Sequence, residues 1–251
     1  MTSRESPGRS SDPPARGPSA RPRPSALFLD FYGTLTSLAR ETVEGICARV
    51  MADVGVDGEA ADLAAAWGRR FFQLIERSNL DEFRTLYACE RDSLIDLLAE
   101  IGHPLDGDPI RAADDYVRPM RDYLRRPHLH DDVHEVLGQL DVPICLVTNA
   151  DRNDVMAAID HYGLDFDEVV TSEEARCYKP DGGIFELALA RTGWSRDQVV
   201  HAGDSRHSDV DGANRAGITS ALIDRAGRIS DVGQAVPDHT FTDLRGLLTL
   251  F

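Results

Sequence analysis

The sequence predicts an α/β fold, a Rossmann-like doubly wound parallel sheet interrupted after its first strand by an all-helical cap. Three observations carry that expectation. The apolar run Ala26-Leu27-Phe28-Leu29 ends at Asp30 and opens into Phe31-Tyr32-Gly33-Thr34-Leu35, the pattern of a buried parallel strand leading into a loop. Residues 37–127 then show helical periodicity with no intervening strand. From Asp131 onward, short β-type runs alternate with helical segments, as in a parallel sheet covered on both faces.

Residues 1–25 are rich in proline, serine and arginine and hold almost nothing apolar, so they bury too little to offset the entropy of ordering and are expected to be a disordered tail. The core is expected over 26–36 and 128–251, with 37–127 as the helical cap. Within the cap, Leu63, Trp67, Phe71, Leu74 and Ile75 share one helical face. Phe83, Leu86, Tyr87, Leu94, Leu97 and Leu98 repeat the period until Gly102 and Pro104 end it, and about four helices are expected in all. In the core the reading is a helix over Val133–Leu140, a strand over Val142–Thr148, a helix over Asp154–Tyr162 and a strand over Glu168–Thr171. A helix over 181–192, a strand over Gln198–Ala202, a helix over Ser208–Ala216 and a strand over Thr219–Ile223 follow.

The 251 residues carry a net charge of −16, which disfavours nucleic acid and anionic membrane as partners. No apolar run approaches the ~20 residues of a membrane span. Cys47, Cys89, Cys145 and Cys177 lie far apart and lack paired metal spacing, so they read as reduced thiols of a cytoplasmic protein. A small anionic molecule is the expected partner, and the chain is expected to act as a monomer or homodimer.

An open parallel sheet gathers its strand tips at one crevice. Four features would meet there: Asp30 with Thr34 four residues on, Thr148-Asn149, Lys179 in Tyr178-Lys179-Pro180-Asp181, and Gly203-Asp204-Ser205 with Asp209 five residues beyond Asp204. Phosphorus in an ester is weakly electrophilic and heavily charged, so a fixed carboxylate nucleophile backed by cations opens a covalent route. Asp30 would be that nucleophile, with Thr148 and Lys179 as the other catalytic groups and Thr34 and Asn149 as substrate contacts. Asp30, Asp204 and Asp209 against one Lys179 leave about two surplus negative charges, and like charges so close would raise one another's pKa. One divalent cation removes the surplus, and an all-oxygen site with room for waters suits Mg²⁺. His201 reads as a plain strand residue and His207 as exposed, while His128, His130 and His134 read as a solvated helix start.

In this order, the four motifs resemble the haloacid dehalogenase superfamily of hydrolases over residues 26 to about 228, in its haloacid dehalogenase-like subgroup with a helical cap. The resemblance implies a Mg²⁺-dependent phosphatase acting on a small phosphorylated metabolite through an aspartyl-phosphate. It makes Asp30, the Tyr32 backbone carbonyl, Asp204 and Asp209 the metal ligands. Two departures pull apart. Phosphatases of the superfamily carry a second aspartate two residues after the nucleophile, as general acid and base. Here that position is Tyr32, which at pKa ~10 donates a hydrogen bond but is a weak base. Haloacid dehalogenases often have tyrosine there, and Trp67-Gly68-Arg69-Arg70 resembles their cap helix, with Gly68 where an arginine would grip the substrate and Arg69 beside it. Those enzymes, however, replace the first acid of Gly-Asp-Ser and use no metal. Tyr32 and Arg69 are accordingly read as substrate contacts. A 2-haloacid dehalogenase with Asp30 attacking carbon is the alternative, and a catalytically reduced phosphate-binding protein the third reading.

Overall fold

A computed structural model describes residues 23–79, 82–225 and 234–251, so the segment read as a disordered tail lies outside the described residues as far as residue 22. Six strands, β1 (Ala26–Leu29), β2 (Ile144–Thr148), β3 (Glu168–Thr171), β4 (Val199–Gly203), β5 (Thr219–Ile223) and β6 (His239–Phe241), form one sheet in the order β3-β2-β1-β4-β5-β6. Every pairing is parallel. Side-chain alternation sorts the strands onto two cores. Leu27, Leu29, Leu146, Val200 and Ala202 face one layer, and Phe28, Cys145, Val147 and Val199 face the other.

Between β1 and β2 lie the four expected cap helices, α1 (Arg40–Val54), α2 (Ala60–Arg77), α3 (Leu86–Glu100) and α4 (Pro109–Arg125). Asp108 and Thr85 cap α4 and α3 with their side-chain oxygens, and Pro109 occupies the first turn of α4, where its missing N–H costs nothing. On α2 only Leu63, Trp67 and Ile75 of the expected stripe are fully buried, whereas Phe71 and Leu74 are half-buried. Phe71 lines the cleft beneath the cap, which takes part of that face.

The core continues with α5 (Val133–Leu137), α6 (Arg152–Tyr162), α7 (Ser172–Ala175), α8 (Gly183–Thr192) and α9 (Gly212–Arg215). The strand expected from Val142 starts at Ile144, because Pro143 lacks an N–H and joins the sheet only by its carbonyl, which accepts the Leu27 N–H at 3.0 Å. The helix expected over Ser208–Ala216 is instead a π-helical turn over 206–211 followed by the short α9, and the widened turn carries Asp209. β6, three residues at the sheet edge and only partly buried, carries too little apolar signal to be read from sequence. Among the described residues no helix is long and apolar enough to cross a membrane.

Strand order places the site. After β1 the chain returns to one side for β2 and β3, then crosses to the other for β4, β5 and β6, so the order reverses between β1 and β4. Asp30 follows β1 and Asp204 follows β4, at the topological switch point where such sheets bind ligands.

Candidate active site

The strand-tip motifs converge as the spacing predicts. One oxygen from each of Asp30, Asp204 and Asp209 lies within 4.8 Å of the others, and all three residues are buried. The Lys179 Nζ donates to Asp30 Oδ1 at 2.7 Å, to Asp209 Oδ1 at 2.6 Å and to the Val147 carbonyl at 2.8 Å. These three bonds use all its N–H groups, so Lys179 offers the cleft its charge and no spare donor.

Asp209 receives a second cluster of donors. The Ser205 N–H reaches its Oδ2 at 2.9 Å, and His201 Nε2 stands 3.0 Å from its Oδ1. His201 is therefore not a plain strand residue. Burial lowers its pKa, so the ring is neutral and presents Nε2–H to Asp209, while its buried Nδ1 has no partner among the described residues. The expected mutual raising of the carboxylate pKa values also fails at Asp209. Burial pushes it up, but the Lys179 ammonium and His201 outweigh that and hold it well below the usual carboxylate range. For Lys179, burial pulls the pKa down while Asp209 and Asp30 raise it, and the net direction is upward.

Two glycines make this crowding possible. Gly33 has φ +93°, and a Cβ there would sit 2.6 Å from Asp204 Oδ2. At Gly203 a Cβ would meet the Asp209 carboxyl carbon at 2.1 Å. Gly33→Ala is thus expected to cost about 1–3 kcal/mol through backbone strain and overpacking, and to displace Asp204. Thermal unfolding checks it, and a melting temperature equal to the parent's would show that the turn has room to spare.

Of the other expected contacts, Asn149 and Tyr32 line the cleft, while Thr34 and Arg69 do not. Thr34 is fully buried, with its hydroxyl 2.9 Å from Asp30 Oδ2 and 3.3 Å from Asp204 Oδ1, so it orients two carboxylates and does not reach the cleft. The Asn149 side chain clamps the Lys179 backbone, accepting its N–H at 2.8 Å and donating to its carbonyl at 3.2 Å. Arg69 is exposed and absent from the cleft lining. The Tyr32 ring does line the cleft, but its hydroxyl donates to the Leu124 carbonyl of α4 at 2.8 Å, tying core to cap, and burial raises its pKa. It is not poised to replace an acid–base aspartate. Thr148 lines the cleft, and its buried hydroxyl has no protein partner among the described residues.

The cleft between cap and core encloses about 520 Å³. Leu38, Phe71, Phe72 and Ile75 make one wall apolar, and Leu38 and Phe72 are about half exposed at its mouth. His207 is half-buried rather than exposed, lines the cleft, and stands 3.8 Å from Glu76 of α2 across the opening. Glu90 of α3 and Arg215 of α9 also reach the cleft, and neither belongs to a sequence motif.

The donor set fits a divalent cation. It is all carboxylate oxygen, carries one ammonium against three acids, and faces an unpartnered Thr148 hydroxyl on the cleft side. A fixed carboxylate with a neighbouring ammonium and such a cation can attack phosphorus or saturated carbon.

Comparison with known proteins bears on this geometry. The pattern of haloacid dehalogenase-like hydrolases matches residues 24–217. An (S)-2-haloacid dehalogenase of Pseudomonas sp. (strain YL) is 24% identical over 228 residues, covering 90% of this chain and 93% of that protein. The pyrophosphatase PpaX of Halalkalibacterium halodurans is 28% identical over 193 residues, 71% of this chain and 89% of its own. The solved L-2-haloacid dehalogenase of Xanthobacter autotrophicus superposes with a TM-score of 0.70 at 18% identity, covering 90% of this chain and 98% of that one.

Proposed function

We propose, for a chain that belongs to the haloacid dehalogenase-like hydrolase family, that Asp30 opens the hydrolysis of a small phosphate ester through an aspartyl-phosphate. The observation that supports it best is the buried trio of Asp30, Asp204 and Asp209 with Lys179 as its one bonded ammonium. Asp204 would repel a carboxylate substrate unless a cation stood beside it.

An Asp30 oxygen, oriented by Thr34 and Lys179, forms a bond to phosphorus as the ester oxygen leaves. The Thr148 hydroxyl and the backbone at Asn149 hold phosphoryl oxygens at the tip of β2, and Lys179 offsets their charge. Water then cleaves the acyl phosphate, releasing inorganic phosphate and restoring Asp30. Asp30, Asp204, Asp209 and the Tyr32 carbonyl would hold Mg²⁺, which would neutralise the surplus charge and polarise the phosphoryl group. The apolar wall of Leu38, Phe71, Phe72 and Ile75 suits an ester whose leaving group has an apolar or aromatic body.

The second reading, 2-haloacid dehalogenation with Asp30 attacking carbon, is the one that overall likeness favours. The dehalogenases match about nine-tenths of the chain, and Tyr32 sits where those enzymes often have tyrosine. Against it, Gly68 leaves open space on α2 where an arginine would grip the haloacid.

Product release separates the readings. Phosphate should be freed from a panel of phosphate esters only with Mg²⁺, and 2-chloropropionate should yield no chloride. Mg²⁺ should also raise the melting temperature of the parent and not of Asp204→Asn, since a ligand bound to the folded state stabilises it. Halide release without metal would overturn the phosphate reading, and phosphate binding without turnover would favour a binding protein.

A further inference from the structure

The phosphoryl reading leaves the leaving group without a proton donor, because the Tyr32 hydroxyl is committed to the Leu124 carbonyl. Glu76, Glu90 and Asp181 line the cleft and are used by no step so far, and of these only Glu90 is buried. Glu90 lies on α3 one turn after Leu86, and both line the cleft that Asp30 and Tyr32 share. The Asp151 carboxylate accepts the Leu86 and Tyr87 N–H groups at 2.7 and 2.9 Å, which docks the start of α3 just beyond the β2 tip that carries Thr148. The Glu90 side chain is buried; its Oε2 is held by the Arg121 Nη2, and its Oε1 makes no hydrogen bond among the described residues.

Building on the phosphoryl reading, we infer that Glu90, a cap residue, is the general acid that protonates the leaving oxygen and then the base that activates water. As the bond from phosphorus to the ester oxygen breaks, that oxygen takes the Glu90 proton. The Glu90 carboxylate then takes a proton from the water that attacks the aspartyl-phosphate, and is ready for another cycle.

Charge count supports a protonated Glu90. Arg121 and Arg125 of α4 face three carboxylates, Glu90 together with Asp151 and Asp154 beside α6. One negative charge is therefore uncompensated, and one proton relieves it. Asp154 is bonded to both arginines; burial leaves Asp151 above the usual carboxylate range, but two backbone N–H groups and Arg121 pull against that and favour its charged form. Glu90 has the single Arg121 contact. Burial pushes its pKa up, with Arg121 pulling down and Asp151 and Asp154 adding to the rise, to about 8. Tyr32 from the loop after β1, Tyr87 of α3 and Tyr178 also face this cluster, all have raised pKa values through burial first, and they stay neutral, while Glu173 adds a further negative charge beside Asp151. The Arg121 guanidinium also lies over the Tyr87 ring, 5.2 Å from its centroid, which fixes the arginine that orients Glu90.

A general acid matters in proportion to how poor the leaving group is, and a merely structural residue does not discriminate in that way. In the Mg²⁺-loaded protein, Glu90→Gln should slow the first, ester-cleaving turnover on glycerol phosphate by about 10²–10⁴-fold and the initial burst of p-nitrophenol from p-nitrophenyl phosphate by less than about tenfold, while steady turnover on both esters falls with the loss of the base. The fall of parent activity on glycerol phosphate above about pH 8 should vanish with it. Equal losses in the first turnover of the two esters, or no loss in either, would overturn the role of Glu90 alone. Should the variant not fold, the parent decides: across aryl phosphates its kcat should depend only weakly on leaving-group pKa, and a steep dependence overturns the assignment. If the parent frees phosphate from neither ester, the phosphoryl reading falls and takes this role with it.

Discussion

Asp30→Asn is expected to remove turnover by at least about 10⁴-fold while leaving the protein folded, the scale found when a covalent nucleophile is deleted. The fold should survive because the substitution relieves a crowded site instead of opening it. An asparagine keeps an oxygen for the Lys179 ammonium, which also retains the Val147 carbonyl and Asp209. Its amide nitrogen would face the Thr34 hydroxyl, which can turn, accept from it and donate to Asp204. With one of three like charges gone, the melting temperature should match or exceed the parent's. Product release and thermal unfolding on the same sample check both halves. Turnover within tenfold of the parent would mean that another group attacks the substrate.

Lys179→Met should have the largest effect on stability. Methionine fills much of the same volume but leaves Asp30 and Asp209 buried without their shared ammonium, and strands the Val147 carbonyl. Breaking a buried ion pair from one side costs about 3–5 kcal/mol, on the order of 10 °C in melting temperature for a chain of this size. The pH dependence follows from the two directions. Asp209 is held low, so its contribution is present above the unfolded carboxylate value of about 3.9 and is lost in acid as pH falls through the lower folded value. Lys179 is held high, so its contribution is present below about 10.4 and is lost as pH rises through the higher folded value. The gap between parent and variant should thus be widest between about pH 4 and 10 and should narrow in acid, where protonation removes the carboxylate repulsion. Mg²⁺ should restore part of the loss by neutralising the same charges. A melting temperature within about 2 °C of the parent's at pH 7 would show that the site is far more hydrated than its burial indicates.

The fold was legible because its signals are local. Asp30 ends an apolar strand, the cap helices carry their own caps and periodic faces, and the alternation beyond Asp131 has the spacing of crossover units. Motif order then brought Thr148, Lys179, Asp204 and Asp209 to Asp30, since parallel strands put their carboxyl ends together whatever the loops do. Side-chain direction was less legible. Thr34 and Asn149 stand where motif spacing puts them, yet both bond to the protein's own polar groups. Arg69 lies one helical position away from a slot that Gly68 leaves empty. His201 looked like strand filler because its partner, Asp209, lies eight residues on and meets it only when the π-turn folds back.

By itself, then, the sequence determined the sheet, the inserted cap and the meeting of Asp30 with its carboxylate company, because hydrophobic period and strand-tip convergence depend on neighbours in the chain. Only the tertiary structure decided where each proton and charge resides. It tied the Tyr32 phenol to the cap, spent all three Lys179 hydrogens within the core, and set Glu90 in the cleft beside two further acids that share its arginine. Those outcomes depend on burial and on partners up to 149 residues away in the chain, and no local pattern encodes either.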